Sequence, residues 1–192
     1  MSDQGSLPKR GRALEEEYFR RKDRELIEKM RLAAAADQAR QDMSRKSGLD
    51  DPALLQELQD LGFTPDTVGL LPLVPLVQVA WAEGGVTAAE RDLIVRLARS
   101  RDIATGSAAD HQLREWLTTR PAEAVFSRAG RLIRAMLDTG AEHMGNLTAD
   151  DLVKYCETIA AASGGILGIG RMSADEKALL STIATDLHAR RG

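Results

Sequence analysis

The sequence AWAEGGVTAAERDLI at residues 80–94 indicates how the rest of the chain is arranged, because it is typical of two helices joined by a tight turn. Gly84 and Gly85 permit a positive φ where the first helix would end. Thr87 and Glu90 have the spacing of a capping box, which begins a second helix. The stretch therefore predicts a hinge between two packed helices.

A degraded copy of this hinge occurs near the C-terminus. Residues 160–165 read AAASGG, and residues 172–180 read MSADEKALL after the insertion ILGIGR. Gly84 to Gly164 spans 80 residues and Glu90 to Glu176 spans 86, so the six inserted residues account for the whole difference. We therefore expect a two-fold helical repeat over residues 65–190, within a helical bundle over residues 65–192.

Composition indicates an all-α protein. Of the 192 residues, 43% are hydrophobic and 29% charged, as in ordinary globular domains, and only 4% are aromatic. A single cysteine, Cys156, excludes an internal disulfide. No apolar run reaches the roughly 20 residues of a transmembrane helix, and no secretory leader is recognisable. A cytoplasmic location is the expectation.

Charge divides the chain into two parts. Residues 1–46 contain 12 Lys/Arg and 9 Asp/Glu, a net +3, whereas residues 47–192 contain 14 and 20, a net −6. We expect a disordered tail over residues 1–9, a long charged helix over residues 10–46, and a linker with a short helix over residues 47–64.

The hydrophobic spacing predicts the helices of the bundle. Residues 68–82 are rich in Leu and Val on every side and predict a buried helix, with Pro72 and Pro75 in or near its first turn. Further helices are expected at residues 87–99, 110–118, 121–137, 149–162 and 173–189.

The long charged helix has a narrow apolar stripe. Phe19, Leu26 and Met30 are spaced by seven and four residues, with Tyr18 beside them. Such a stripe can lie against the rest of the same chain, pair with a second copy in a homodimer, or fill a groove in another protein with these four residues as anchors. The sequence leaves all three alternatives open.

The N-terminal helix resembles the inhibitory segment of the mitochondrial ATP synthase inhibitor. The likeness rests on RGRALEEEYFR at residues 10–20, continued by Arg24, Glu25 and Leu26, and covers about 25 residues. The His-rich pH-sensing coiled coil of that family has no counterpart here. The resemblance implies a regulator that docks this helix into an ATPase or another partner.

The first hinge resembles a second family over a longer stretch. AEGGVTAAE at residues 82–90 is similar to the Ala-Asp-Gly-x-Val-x-x-x-Glu signature of TerB-like domains, and the repeat extends the likeness to about residues 65–187. This resemblance implies an all-helical, pseudo-two-fold bundle associated with bacterial tellurite resistance and stress responses. It implies a binding or scaffold protein, not catalysis.

The TerB resemblance places Glu83 and Glu90 at acidic positions of the family, where a divalent cation could be held. Two carboxylates are few for a hard cation. An EF-hand is excluded, because Val79 and Trp81 occupy the positions of its first ligands. The alternative roles are helix capping for Glu90 and a solvated helix end for Glu83.

Other residues give little indication of chemistry. His111, His143 and His188 are too dispersed for structural zinc, and Cys156 lies among apolar residues as a core cysteine would. The glycine-rich residues 164–170 lack the Gly-Lys-Ser/Thr of a phosphate loop. With no nucleophile and base set recognisable, we expect no catalytic activity and no certain cofactor.

Two surface features bear on macromolecular partners. Arg128, Arg131 and Arg134 recur on one helix without an aromatic platform, so we interpret them as a solvated face and expect no nucleic-acid binding. The apolar residues within residues 166–169 of the inserted segment could form a small exposed hydrophobic patch suited to a partner or a membrane surface. Any membrane contact through so small a patch would be peripheral.

Overall fold

Helices form all the regular secondary structure in the part of the chain that the computed structural model describes. This part comprises the backbone of residues 7–140, 146–163 and 173–189, and the side chains of residues 15–140, 146–162 and 173–189. Eight α-helices and one 3-10 helix occur in these ranges, with no β-strand. The prediction of an all-α protein is confirmed.

The helices follow one another with short connections. Their bounds are α1 Leu7–Ser47, α2 Pro52–Asp60, a 3-10 helix Val68–Leu73, α3 Val74–Ala80, α4 Ala88–Ser100, α5 Ala108–Trp116, α6 Glu123–Asp138, α7 Ala149–Ser163 and α8 Ala174–His188. The predicted tail over residues 1–9 lies largely outside the described residues, and α1 begins at Leu7.

The predicted buried helix over residues 68–82 is wrong as a single element. Residues 68–73 form the 3-10 helix, which contains Pro72, and the α-helical part begins only at Val74 with Pro75 in its first turn. Proline has no amide hydrogen to donate to the preceding turn, so a continuous α-helix through both prolines would lose two hydrogen bonds. The burial of this segment agrees with the prediction.

Side-chain caps begin several of the helices. Asp51 accepts a hydrogen bond from the amide of Ala53 at 2.8 Å at the start of α2. Ser107 accepts from the amide of Asp110 at 3.1 Å at the start of α5. Thr148 and Asp151 exchange hydrogen bonds at the start of α7, with both backbone distances at 3.1 Å. These bonds satisfy amides that have no partner within the helix.

The chain divides into two units, residues 1–41 and residues 42–192. The division falls inside α1, before the boundary after residue 46 expected from composition. The second unit includes Met43, Ser47 and Leu49, all of which are buried. The stretch that composition indicated as a linker therefore contributes to a core.

The core of the second unit is centred on α3, where every residue except Gln78 is buried. This helix packs against α4, α6, α7 and α8, and α7 also packs against α4 and α8. The largest fully buried side chains of the unit are Met43, Leu49, Leu58, Leu70, Leu71, Leu73, Leu76, Ile94, Leu113, Leu117, Leu132 and Ile133.

Helices α6 and α8 approach closely at Gly130. A Cβ atom at this position would lie 2.9 Å from the Cβ of Asp186. Four residues along α6, Arg134 donates a hydrogen bond to the Asp186 carbonyl at 2.7 Å. Glycine is therefore required by this packing and not by its backbone conformation.

In the described ranges, no helix combines the length and the apolar character needed to cross a membrane.

Candidate functional site

The first hinge has the geometry that its sequence predicted. Helix α3 ends at Ala80, and Gly84 has φ +87°, a conformation that favours glycine. The backbone amide and the hydroxyl of Thr87 both donate to the Glu90 carboxylate at 2.7 Å, and the Glu90 amide donates back to the hydroxyl at 3.3 Å. The predicted capping box is confirmed.

Two long-range hydrogen bonds hold this hinge against the end of α5. The Trp81 indole nitrogen donates to the Trp116 carbonyl at 2.8 Å, and Arg91 donates to the Leu117 carbonyl at 3.1 Å. Both acceptors are C-terminal carbonyls of a helix, which have no partner within the helix and are satisfied here. The hinge is therefore fixed from both sides of its turn.

The second hinge repeats the capping chemistry. Ser173 donates its amide to the Glu176 carboxylate at 2.7 Å and accepts from the Glu176 amide at 3.1 Å. The Gly-Gly pair of this hinge and the inserted residues 166–171 lie outside the described residues. The predicted capping box at Ser173 and Glu176 is nevertheless confirmed.

The two capping glutamates form the acidic part of the candidate site. Glu90 and Glu176 are each 2% exposed, whereas Glu83 is exposed. Burial raises the pKa of Glu90, the hydrogen bonds from Thr87 oppose that rise, and the negative charges of Glu176 and then Glu83 add to it. The charge of Glu176 thus acts on Glu90 more strongly than that of Glu83, the partner that the sequence predicted.

The effect of the Glu176 charge on Glu90 escaped the sequence reasoning, which treated the second hinge only as a weakened copy. The repeat itself was the signal that could have found it, because equivalent positions of a two-fold repeat can meet at its axis. In the described ranges, no group of three or more His, Cys, Asp or Glu side chains is arranged to hold a metal ion. A cation bound at Glu83 and Glu90 would therefore have few protein ligands.

The predicted partner-binding residues are all exposed on α1. Tyr18 is 49% exposed, Phe19 61%, Leu26 57% and Met30 64%. The rings of Tyr18 and Phe19 meet edge to face with their centroids 5.9 Å apart. We call these four side chains the docking face.

Cys156 is a core residue, as its sequence neighbours indicated. It is fully buried, and burial raises the pKa of its thiol to about 12. At neutral pH the thiol is protonated, whereas nucleophilic cysteines react as thiolates. This environment is unfavourable for nucleophilic catalysis by Cys156.

Both histidines that the structure describes are exposed. His188 lies between the Ala184 carbonyl and the Asp150 carboxylate, 2.8 Å from each, and these acceptors raise its pKa. His111 is exposed, and His143 lies outside the described residues.

The arginine row on α6 binds the protein itself. Arg131 donates to both oxygens of the Glu57 carboxylate, and Arg128 lies 3.9 Å from the same group. Arg134 bonds to the Asp186 carbonyl on α8. The interpretation as a purely solvated face is therefore incomplete, because the row connects α6 to α2 and α8.

A cluster of one buried aspartate and two arginines at α5 was not predicted. Asp110 is 1% exposed and accepts hydrogen bonds from Arg99, from Arg114 at 3.0 Å and from the Gly106 amide at 2.9 Å. The Arg99 hydrogen bond, then that of Gly106, holds the pKa of Asp110 well below its usual range. Because all these partners are parts of the protein itself, we interpret the cluster as structural: it stabilises the loop before α5.

Comparisons of the chain with protein-family models, with curated proteins and with solved structures found no match.

Proposed function

We propose that this protein is a non-catalytic binding protein of the TerB-like type, in which residues 42–192 form a scaffold and α1 carries a docking face for a protein partner. The observation that supports it most is the distribution of exposed apolar side chains. Among the side chains that the structure describes, the large exposed hydrophobics are Tyr18, Phe19, Leu26, Ile27, Met30 and Leu32, all of them on α1.

The energetic argument follows from this exposure. Burying a whole Phe, Leu or Met side chain is worth roughly 1.5–3 kcal/mol. With about three fifths of each side chain still exposed, Phe19, Leu26 and Met30 together would contribute roughly 3–5 kcal/mol on docking. That gain is large enough to support a specific complex once complementary contacts are added.

The TerB-like part of the proposal is supported by the packing of the second unit. If α3 and α4 are exchanged with α7 and α8, the contacts of α3 with α8 become those of α7 with α4, and both kinds of contact are present. The two capping boxes, with buried Glu90 and Glu176, occupy equivalent positions under the same exchange. These features support a pseudo-two-fold bundle of the TerB-like type. The proposed stress-response role rests on the resemblance to that family.

The docking role is tested in the full chain with a triple variant, Phe19→Ser, Leu26→Ser and Met30→Ser. The matched control is Leu32→Ser, which is equally exposed at 63% but lies roughly 120–160° around the helix from the three anchors. We expect the triple variant to keep the melting temperature of the parent and to lose the native complex on size-exclusion chromatography. A triple variant that elutes in the same complex as the parent would contradict the proposal.

A second function is a regulator that inserts α1 into an ATPase. It is supported by the exposed Tyr18 and Phe19 within the segment that resembles the ATP synthase inhibitor. The test adds the purified protein to purified F1-ATPase. Inhibition that the Phe19→Ser variant lacks favours the regulator, and an unchanged ATPase rate argues against it.

The cation site is a separate proposal and concerns Glu83 and Glu90. In such a site, the exposed carboxylate of Glu83 and the buried carboxylate of Glu90 would both bind the cation. Magnesium or calcium chloride should then raise the melting temperature of the parent but not of Glu83→Gln, a variant that leaves the Thr87 and Glu90 cap intact. An identical response of the two proteins, or no response in the parent, would refute the site.

A further inference from the structure

Lysine side chains border the apolar stripe of α1 on one side. With 100° of rotation per residue, Phe19, Leu26 and Met30 fall within about 40° of one another. On the same wheel, Lys22 and Lys29 lie along one edge of this stripe, about 40–60° from Leu26. The other edge begins with Asp23, about 20° from Met30, and reaches Arg20 and Arg31 only about 80–100° from Met30. Within the docking face, Phe19, Leu26 and Met30 therefore form an apolar strip with one cationic edge, and Tyr18 lies beyond the lysines of that edge.

The segment that contains the anchors is also basic as a whole. Residues 18–32 hold six Lys/Arg, at positions 20, 21, 22, 24, 29 and 31, and three Asp/Glu, at positions 23, 25 and 28, a net charge of +3. Glu28 falls on the side of the helix opposite the stripe. The only acidic residue of the segment near the stripe is Asp23.

The edge cations are available to a partner. Lys22 pairs with Glu25 at 3.4 Å and Arg20 pairs with Glu16 at 3.5 Å, but every member of these pairs has a side chain more than half exposed. Exposed pairs of this kind contribute little and exchange readily. Across the described residues, neither Lys29 nor Arg31 takes part in an ion pair.

This charge pattern disfavours pairing of α1 with a second copy. In a parallel pair in register, Asp23 would face Asp23 of the other copy next to the apolar contacts. In an antiparallel pair that sets Phe19 against Met30, Lys22 of one copy approaches Lys29 of the other. Either arrangement places like charges together beside the stripe, which opposes association.

We infer that the docking face binds an apolar groove on a different protein, with carboxylates along the rim that faces Lys22 and Lys29. The inference rests on the proposed docking function and adds the chemistry of the partner. Because the edge contacts are electrostatic, the complex should weaken as salt concentration rises.

The experiment uses photocrosslinking by the full chain in cells that naturally contain it. The photoreactive residue p-benzoylphenylalanine replaces Phe19 in one protein and Leu32 in a control, and the crosslinked peptides are sequenced. We expect the Phe19 position to crosslink an apolar peptide of another protein with Asp or Glu close by. The edge variant Lys22→Glu, Lys29→Glu should reduce the crosslink yield at least tenfold.

The charge-matched control is Arg24→Glu, Arg40→Glu, which changes the net charge equally at positions outside the docking face. It should alter the yield by less than twofold. Equal effects of the two variants would overturn the inference, because the cations would then act only through net charge. A crosslink between two copies of this chain would also overturn it, although docking would stand.

Membrane binding is tested with the purified protein and vesicles of phosphatidylcholine with phosphatidylglycerol. Co-sedimentation that the edge variant loses would overturn the inference in favour of an anionic lipid surface. A Phe19 position that crosslinks no more than the Leu32 position would refute the docking function itself. The two failures are therefore distinguishable.

Discussion

Replacing Gly130 by alanine tests the packing of α6 against α8. In an unobstructed helix this change would stabilise the protein by about 1 kcal/mol, because glycine is the poorer helix former. Here the new Cβ would lie 2.9 Å from the Cβ of Asp186, whereas ordinary contacts begin at 3.4 Å. The two helices must therefore separate locally by at least 3.4 − 2.9 = 0.5 Å, since neither atom is the end of a flexible side chain.

The cost of such overpacking is typically about 1–3 kcal/mol. After the gain in helix propensity is subtracted, we expect Gly130→Ala to reduce the free energy of unfolding by about 1 kcal/mol. The displacement would also strain the hydrogen bond from Arg134 to the Asp186 carbonyl, now 2.7 Å long. Urea unfolding followed by circular dichroism measures this change.

The control is Gly69→Ala, because Gly69 is exposed, has no positive φ and has open space where a Cβ would be built. We expect this variant to be neutral or slightly stabilised. The rescue variant Asp186→Gly removes the opposing Cβ, so Gly130→Ala should cost less in its presence than in the parent. Stabilisation by Gly130→Ala alone, or strict additivity of the pair, would show that the helices do not approach as described.

Three further predictions concern the helix caps and their titration. Thr87→Ala and Ser173→Ala should each reduce the free energy of unfolding by about 1 kcal/mol, measured by urea unfolding. The loss should be larger for Thr87→Ala, because the Thr87 hydroxyl also donates to the Glu90 carboxylate at 2.7 Å. Equal losses would contradict the prediction. Because the pKa of Glu90 is raised in the folded state, ionisation of its carboxyl opposes folding. The parent should therefore lose stability relative to Glu90→Gln as the pH rises from 4.5 towards neutrality. A difference in stability that does not depend on pH would refute this prediction. The pKa of His188 is also raised in the folded state, so the contacts of the protonated ring stabilise the fold below pH 6.5 and this stabilisation is lost as the pH rises through the folded-state pKa. His188→Gln should therefore destabilise the protein more at pH 5.5 than at pH 8.5. Asp150→Asn should reduce that difference, because it removes the carboxylate that His188 contacts.

Local chemistry made the helix starts predictable from sequence. Thr87 and Glu90 lie three residues apart, and their bonds depend on little beyond that spacing. A long, mostly solvated α1 was also indicated, but the sequence left open whether the rest of the chain would cover its apolar stripe. The break at Pro72 and Pro75 was less predictable, since a missing amide donor permits either a helix start or a 3-10 turn.

Contacts between distant parts of the chain were harder to predict, and only the repeat gave a signal for any of them. Arg131 and Glu57 are 74 residues apart, and no periodic pattern connects them. The effect of the Glu176 charge on Glu90 likewise depends on how the helices of the two hinges pack. A single sequence reports which side chains are suited to burial or to capping, but the packing of the folded unit decides which of them meet.

The joint between the first hinge and the end of α5 has an experimental consequence of its own. The protein has two tryptophans, and both belong to this joint: the half-buried indole of Trp81 is bonded to the carbonyl of the buried Trp116. Because the Trp116 ring packs edge to face against Phe63, intrinsic fluorescence is a local probe of this joint and of the Trp116–Phe63 contact rather than an average over the molecule. A red shift in emission that precedes the loss of helical signal would reveal that this joint opens before the rest of the bundle unfolds.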